Sequence, residues 1–179
     1  MNHIKALFFN NKFLLLFLSF LQLFISACGY KFAGEGRLPG DIKRIKIAML
    51  ENHTGETGAE AVLTNALIQE FNRRSNLTLT GNDDKNAFLS GKIVSARINA
   101  VSRRDQNSAR EERIHILIDL KLTDSDNNII WSANGISANE TYSVVSDNKI
   151  ATEYNRREAI SLISEKIAEN VYYRLADMF

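Results

Sequence analysis

A single cysteine, Cys28, and three histidines leave few places for chemistry in a chain of 179 residues. Cys28 has no partner for an intramolecular disulfide, and one cysteine cannot build a multi-cysteine zinc or iron–sulfur site. It stands where an apolar run stops, with Ile25, Ser26 and Ala27 before it and Gly29 after it. His53 and His115 are far apart in sequence and belong to no His-Glu-x-x-His spacing, so no histidine metal centre is indicated. Asp124, Asp126 and Asn128 copy the first three ligand positions of an EF-hand loop. The sixth position, however, is Ile129 rather than glycine and the twelfth is Gly135 rather than glutamate, which predicts a hairpin turn. No glycine-rich phosphate loop and no Gly-x-Ser-x-Gly elbow occurs. Residues 102–113, SRRDQNSAREER, place Arg103, Arg104, Arg110 and Arg113 on either side of a hairpin tip. A planar guanidinium fork suits phosphate recognition. Asp105, Glu111 and Glu112 offset much of that charge, and an ordinary solvated hairpin end is the alternative. These residues form no recognisable catalytic, metal or cofactor motif, so a non-enzymatic protein is expected, with an enzyme assembled from scattered residues around a deep polar pocket as the alternative.

The elements that must position these residues follow from periodicity. Residues 44–50, RIKIAML, alternate Ile45, Ile47 and Met49 with Arg44 and Lys46, which predicts a half-buried strand. ENHTGETG is turn chemistry, and Thr57 with Glu60 reads as a capping box opening a helix over about 59–74. In that helix Leu63, Ala66, Leu67 and Phe71, with Val62 alongside, form the inward stripe, and Asn65, Gln69 and Asn72 face water. A short strand is expected at 77–80. A longer one at 88–101 alternates Val94, Ala96, Ile98 and Ala100 with Ser95, Arg97 and Asn99. The clearest strand spans 113–123, with Ile114, Ile116, Ile118, Leu120 and Leu122 on one face. A strand over about 129–142 carries Trp131, and a helix over about 151–178 repeats Ala159, Ile163, Ile167, Val171 and Leu175 at four-residue steps. This order predicts an α+β two-layer sandwich: a mostly antiparallel sheet of four strands or slightly more, with two helices packed on one face.

The amino terminus reads as an address. Lys5 and Lys12 precede residues 13–25, thirteen residues broken only by Ser19 and Gln22. That is a positive segment followed by an apolar one of signal-peptide length. As a helix it would span roughly 20 Å against a hydrocarbon core of roughly 30 Å, too short for a permanent anchor. Ile-Ser-Ala-Cys resembles the lipobox of bacterial lipoproteins. In that resemblance Cys28 receives a diacylglycerol, the signal is cut before it, and the new amino terminus is acylated. Gly29 in place of aspartate implies the outer membrane by the enterobacterial sorting rule. The expected organisation is a signal peptide at 1–27, a lipidated start and short tether at 28–41, and one α+β domain at 42–179. Of 22 basic and 21 acidic side chains, two basic ones precede Cys28. The remainder is near neutral, against general nucleic-acid binding.

Several short pieces, in order, resemble one family. They are Cys28-Gly29-Tyr30, Leu38-Pro39, Ile45-x-Ile47-x-x-x-Glu51-Asn52-x-Thr54, Leu63-x-x-Ala66-Leu67-x-x-Glu70-Phe71, Leu89-x-Gly91-x-Ile93 and Ser102-Arg103-Arg104. Together with the lipobox they are similar to the lipopolysaccharide-assembly lipoprotein family LptE. The resemblance implies a periplasm-facing, lipid-anchored protein of the outer membrane. Such a protein plugs the large β-barrel of an LptD-type partner, supports that barrel's assembly and helps deliver lipopolysaccharide to the outer leaflet. Of the family's functional residues it carries over only Cys28, as the lipid site. The four arginines are candidate contacts for lipopolysaccharide phosphates on their own chemistry. The strand-turn-helix start is also similar to TolB amino-terminal-like and curli-secretion-like lipoproteins, some of which activate envelope enzymes. A distant enzyme partner calls for a long linker, whereas only fourteen steps separate Cys28 from Ile42, about 50 Å when fully extended.

Overall fold

Five apolar residues at alternate positions of the strand Ala109–Asp124, with Arg113, His115, Leu117, Asp119 and Lys121 between and beside them, give the sheet its two faces. Ile114, Ile116, Ile118, Leu120 and Leu122 are all buried, and the rest of the core assembles against them. The computed structural model describes residue 42 and residues 44–74, 78–79, 87–103 and 109–177, all within the unit Glu35–Phe179. The proposed signal peptide, the tether with Cys28, and Arg104 lie outside the described residues. Along the chain run β1 (Arg44–Ile47), β2 (Glu51–Asn52), α1 (Ala59–Arg74), β3 (Thr78–Leu79), β4 (Ala87–Arg103), β5 (Ala109–Asp124), β6 (Ile129–Ser143) and α2 (Lys149–Ala176). They form one six-stranded sheet in the order β3-β1-β4-β5-β6, with β2 also alongside β4. The long β4-β5-β6 meander is antiparallel, while the short strands β1, β2 and β3 pair in parallel. The α+β sandwich with a mostly antiparallel sheet is as expected, enlarged by two dipeptide strands at one edge.

Helix α2 buries Ala159, Ile163, Ile167, Val171 and Leu175, the four-residue stripe read from the sequence. It starts two residues earlier than the stripe suggested, because the Asn148 carboxamide accepts from the Ala151 N–H at 3.0 Å and caps it. Helix α1 buries Leu63, Leu67 and Phe71. Its first turn departs from the expected capping box. The Glu60 carboxylate reaches back to the Gly58 N–H at 3.1 Å rather than to Thr57, and Gly58 takes φ +92°, open to glycine at no steric cost.

Two strand faces differ from strict alternation. Ile47 pairs with Leu89 and Glu51 with Lys92, so the β1–β2 side has one residue more than β4 between these pairs. The extra residue turns Leu50 inward at 3% exposure and leaves Met49 outside at 65%, the reverse of the expectation. The Leu50 N–H donates instead to the buried Thr64 hydroxyl at 3.1 Å. In β4, Ile93 pairs with Ile118 and Ser95 with Leu117, which makes Val94 a bulge residue. Val94 is exposed and Ile93 takes the core position.

Helices α1 and α2 are tied together at both ends. At one, Arg156 donates to Glu56 at 3.1 Å and Glu153 at 2.5 Å. At the other, Arg74 pairs with Glu70 and with Glu169, lies over the Tyr173 ring, and has its carbonyl bonded by the Tyr172 hydroxyl at 2.8 Å. Neither clamp is readable from spacing, since each joins residues about a hundred positions apart.

Candidate functional site: the open face of the sheet

The helices cover one face of the meander. Alternate residues of β4, β5 and β6 point to the other, and cross-strand register states which ones meet. Lys92 lies opposite Asp119, Arg97 opposite His115 and Asn99 opposite Arg113. Across the next seam Lys121 lies opposite Ser132, Leu117 opposite Ser137, His115 opposite Asn139 and Arg113 opposite Thr141. Strand β6 thus presents a row of hydroxyls and amides, and β4 and β5 present cations. The side chains of Lys92, Arg97 and Lys121 are exposed and make no hydrogen bond or ion pair with another described residue, although Glu51 of β2 and Asp119 of β5 lie opposite Lys92. The nearby Asp119 carboxylate instead accepts from the Gly135 N–H at 2.9 Å, across the β5–β6 seam.

Sequence reading did not find this cationic band, for a definite reason. Lys92 and Arg97 are five residues apart, which in a regular strand puts them on opposite faces. The Val94 bulge absorbs one residue and brings both to the same face. At one end of the band lies a hollow of about 660 Å³ whose walls include Met49, Phe88, Ile129, Lys92, Lys121 and Ser132. Beside it Gly91 allows close approach of β4 and β5. A Cβ there would collide with the Asp119 carbonyl oxygen and the Leu120 side chain, which explains the glycine in Leu89-x-Gly91-x-Ile93.

At the other end lie three of the four predicted arginines, but Arg110 and Arg113, three residues apart in an uninterrupted stretch of β5, point to opposite faces, Arg113 to the open one and Arg110 to the helix side with Glu112. Arg103 ends β4 opposite Ala109, and Arg110 and Arg113 lie in the first turns of pleat of β5, all exposed. Arg113 donates from Nε to the Thr141 hydroxyl at 3.2 Å. Two of the acids expected to offset this charge are engaged locally. Glu111 accepts from the Ser102 hydroxyl at 2.8 Å, and Glu112 points to the helix side and accepts from the Tyr142 hydroxyl at 2.6 Å. Burial, with Glu112 beside it, pushes the Tyr142 hydroxyl well above its ordinary range, so it stays a donor.

The residues weighed for metal chemistry hold structure instead. His53 bonds the Glu51 carboxylate at 3.1 Å, and His115 stands on the open face between Arg97 and Asn139. Asp124 closes the β5–β6 turn, accepting from the Asp126 and Asn128 N–H groups and the Asn128 carboxamide. Asn127 takes φ 64°, which asparagine tolerates. Among the described residues no group of three or more histidine, cysteine or acidic side chains is placed to hold a metal. Nor is any helix among them long and apolar enough to cross a membrane. Glu51-Asn52-x-Thr54, part of the motif set, is the lock of the β2–α1 loop. Asn52 donates to the Glu56 carbonyl at 2.9 Å and Glu60 at 2.7 Å, and accepts from the Thr54 N–H and hydroxyl.

The same arrangement of sheet and helices occurs in solved structures of very different sequence. A solution structure of an uncharacterized lipoprotein B from Nitrosomonas europaea is similar over 84% of this chain and 92% of its own, with 15% identity and a TM-score of 0.55. The rare lipoprotein B of Shewanella oneidensis is similar over 74% of this chain and 95% of its own, at 10% identity and a TM-score of 0.51. At such identities the likeness is one of fold. No curated protein matches the chain by sequence. The model of the LptE family, described as lipopolysaccharide-assembly, matches residues 42–175, from the buried Ile42 to the last core residue of α2. The match spans the whole described sandwich, including the Asn52 lock, the Gly91 approach and the β4–β5 arginines, and the chain belongs to the LptE lipopolysaccharide-assembly family.

Proposed function

We propose that this chain is an outer-membrane lipoprotein, held by a diacylglycerol and an N-acyl chain on Cys28 after removal of residues 1–27. Its domain acts as a plug in an LptD-type β-barrel, supports assembly of that barrel and assists delivery of lipopolysaccharide to the outer leaflet. Three acyl chains give stable attachment where one gives only marginal binding. The observation that carries the reading is the open face: a hydroxyl and amide row on β6 beside Lys92, Arg97 and Lys121, which among the described residues have no ion-pair partner and no helix over them. The interior of a large membrane barrel is polar, and such a face meets it without burying apolar surface against water. Arg103, Arg110 and Arg113 at the end of the meander suit the phosphates of lipid A. The role is one of surface fit and asks for no catalytic residue and no cofactor.

Affinity capture of the full-length lipidated protein from outer membranes is expected to recover a large β-barrel. Recovery of a peptidoglycan synthase in its place would replace the plug by an activator of an envelope enzyme. In the same full-length protein, Arg103→Glu with Arg110→Glu is expected to weaken binding of lipopolysaccharide. Unchanged binding would remove the hairpin arginines from the ligand site while leaving the barrel test standing.

A further inference from the structure

Asn134-Gly135 is the sole Asn-Gly dipeptide in the chain, and it sits in an irregularity of β6. Ile118 pairs with Ile136 and Leu120 with Ala133, so Asn134 and Gly135 together stand opposite the single residue Asp119. Gly135 takes φ 72° and has open space where a Cβ would be. Its N–H is withdrawn from the ladder and donates to the Asp119 carboxylate at 2.9 Å. Asn134 is exposed and lines the hollow that also holds Lys92 and Lys121.

We infer that Asn134 is a site of self-modification, converting from amide to acid through a cyclic imide with Asp119 as the base. Attack on the asparagine carboxamide requires the next backbone nitrogen to give up its proton, and a carboxylate within hydrogen-bond reach of that proton is where a general base must stand. Asp119 takes the proton from Gly135 N as that nitrogen forms a bond to Asn134 Cγ and closes a five-membered ring. The Cγ–Nδ2 bond breaks, and the nitrogen leaves as ammonia with the proton returned from Asp119. Water then adds to one or other imide carbonyl and opens the ring, giving aspartate or isoaspartate at position 134. In a regular strand the following N–H is locked in the ladder and the extended backbone holds it away from the side chain. The glycine bulge relieves both constraints. The product places a new negative charge in the hollow that Lys92 and Lys121 also line and reduces the positive charge of the open face. Its isoaspartate form also lengthens the β6 backbone at the bulge.

The test uses the full-length protein in detergent, incubated at neutral pH in heavy-oxygen water and followed by peptide mapping with an isoaspartate-specific methyltransferase. Heavy oxygen is expected to enter at position 134 faster in the native protein than in the urea-unfolded chain, and faster than at Asn99, Asn127 or Asn139. Asp119→Asn keeps an acceptor for the Gly135 N–H but removes the base, and should slow conversion by roughly tenfold or more. Gly135→Ala leaves Asp119 in place and should also slow it, while Asn134→Gln should abolish it. Conversion of D119N at the wild-type rate, or an Asn134 that reacts only in the unfolded chain, would overturn the inference.

Discussion

The Asn52 carboxamide donates to the Glu56 carbonyl and the Glu60 carboxylate, and accepts from both the N–H and the hydroxyl of Thr54. One side chain thereby closes the loop between β2 and α1. Asn52→Ala removes four part-buried hydrogen bonds whose partners regain some bonding from water, and should cost about 2 kcal/mol, read as a lower midpoint in urea at unchanged slope. Part of that loss depends on pH. The Glu60 carboxyl is held below its ordinary range by its own backbone N–H, by Asn52 and by the Gly58 N–H. A carboxyl depressed in the folded state contributes stability that is complete above its unfolded pKa and is lost as pH falls through the folded one. The gap between wild type and N52A should therefore be widest at neutral pH and narrow on acidification below the ordinary glutamate range. A constant gap would remove Glu60 from the lock. At this scale the sequence was half legible. ENHTGETG reads as turn chemistry from composition, but the partner that makes Asn52 a hub is eight residues away on another element.

Strand β6 forms one edge of the sheet, and exposed edges recruit other strands. The Val144 N–H donates inward to the Arg110 carbonyl, so the alternating backbone groups of Ser143 and Thr141 point outward. Side chains cover both: the Glu140 carboxylate accepts from the Thr141 N–H at 3.1 Å, and Asn155 of α2 donates to the Ser143 carbonyl at 2.9 Å. Lys166 of α2 donates to Glu140 in turn. Replacing Glu140 and Asn155 by Val should leave helix content intact while raising self-association of the detergent-solubilised protein in light scattering. Equal monodispersity would show that the edge needs no cover. Element order and the core faces of β5 and α2 were readable because nothing interrupts their periods of two and four. Strands β1 and β4 were misread at Met49 and Val94 because a single inserted residue reverses every later side chain, and no local propensity marks that insertion.

Charge is divided between the layers of the molecule. On the helix side the ion pairs Arg156 with Glu56 and Glu153, Arg74 with Glu70 and Glu169, and Lys166 with Glu140 neutralise one another. On the open face Lys92, Arg97 and Lys121 have no such ion pairs among the described residues, although Glu51 and Asp119 flank Lys92, so three exposed cations stand on that face while the whole chain carries a formal charge of only +1. In the proposed role, that separation, invisible to a net count, would fit the face to an anionic ligand in a polar lumen. Reversing it tests the idea without touching the core. The triple change Lys92→Glu, Arg97→Glu and Lys121→Glu alters only exposed side chains, so thermal unfolding should shift by no more than a few degrees. Binding of lipopolysaccharide by the full-length protein should fall, and its dependence on salt should flatten, because the screened attraction is what the change removes. A neutral triple variant, with glutamine at the three positions, separates lost attraction from added repulsion and should lie between the two. Full binding with unaltered salt dependence in the reversed variant would mean that the ligand meets another surface, and the arginine end of the meander, Arg103, Arg110 and Arg113, would then have to carry recognition alone.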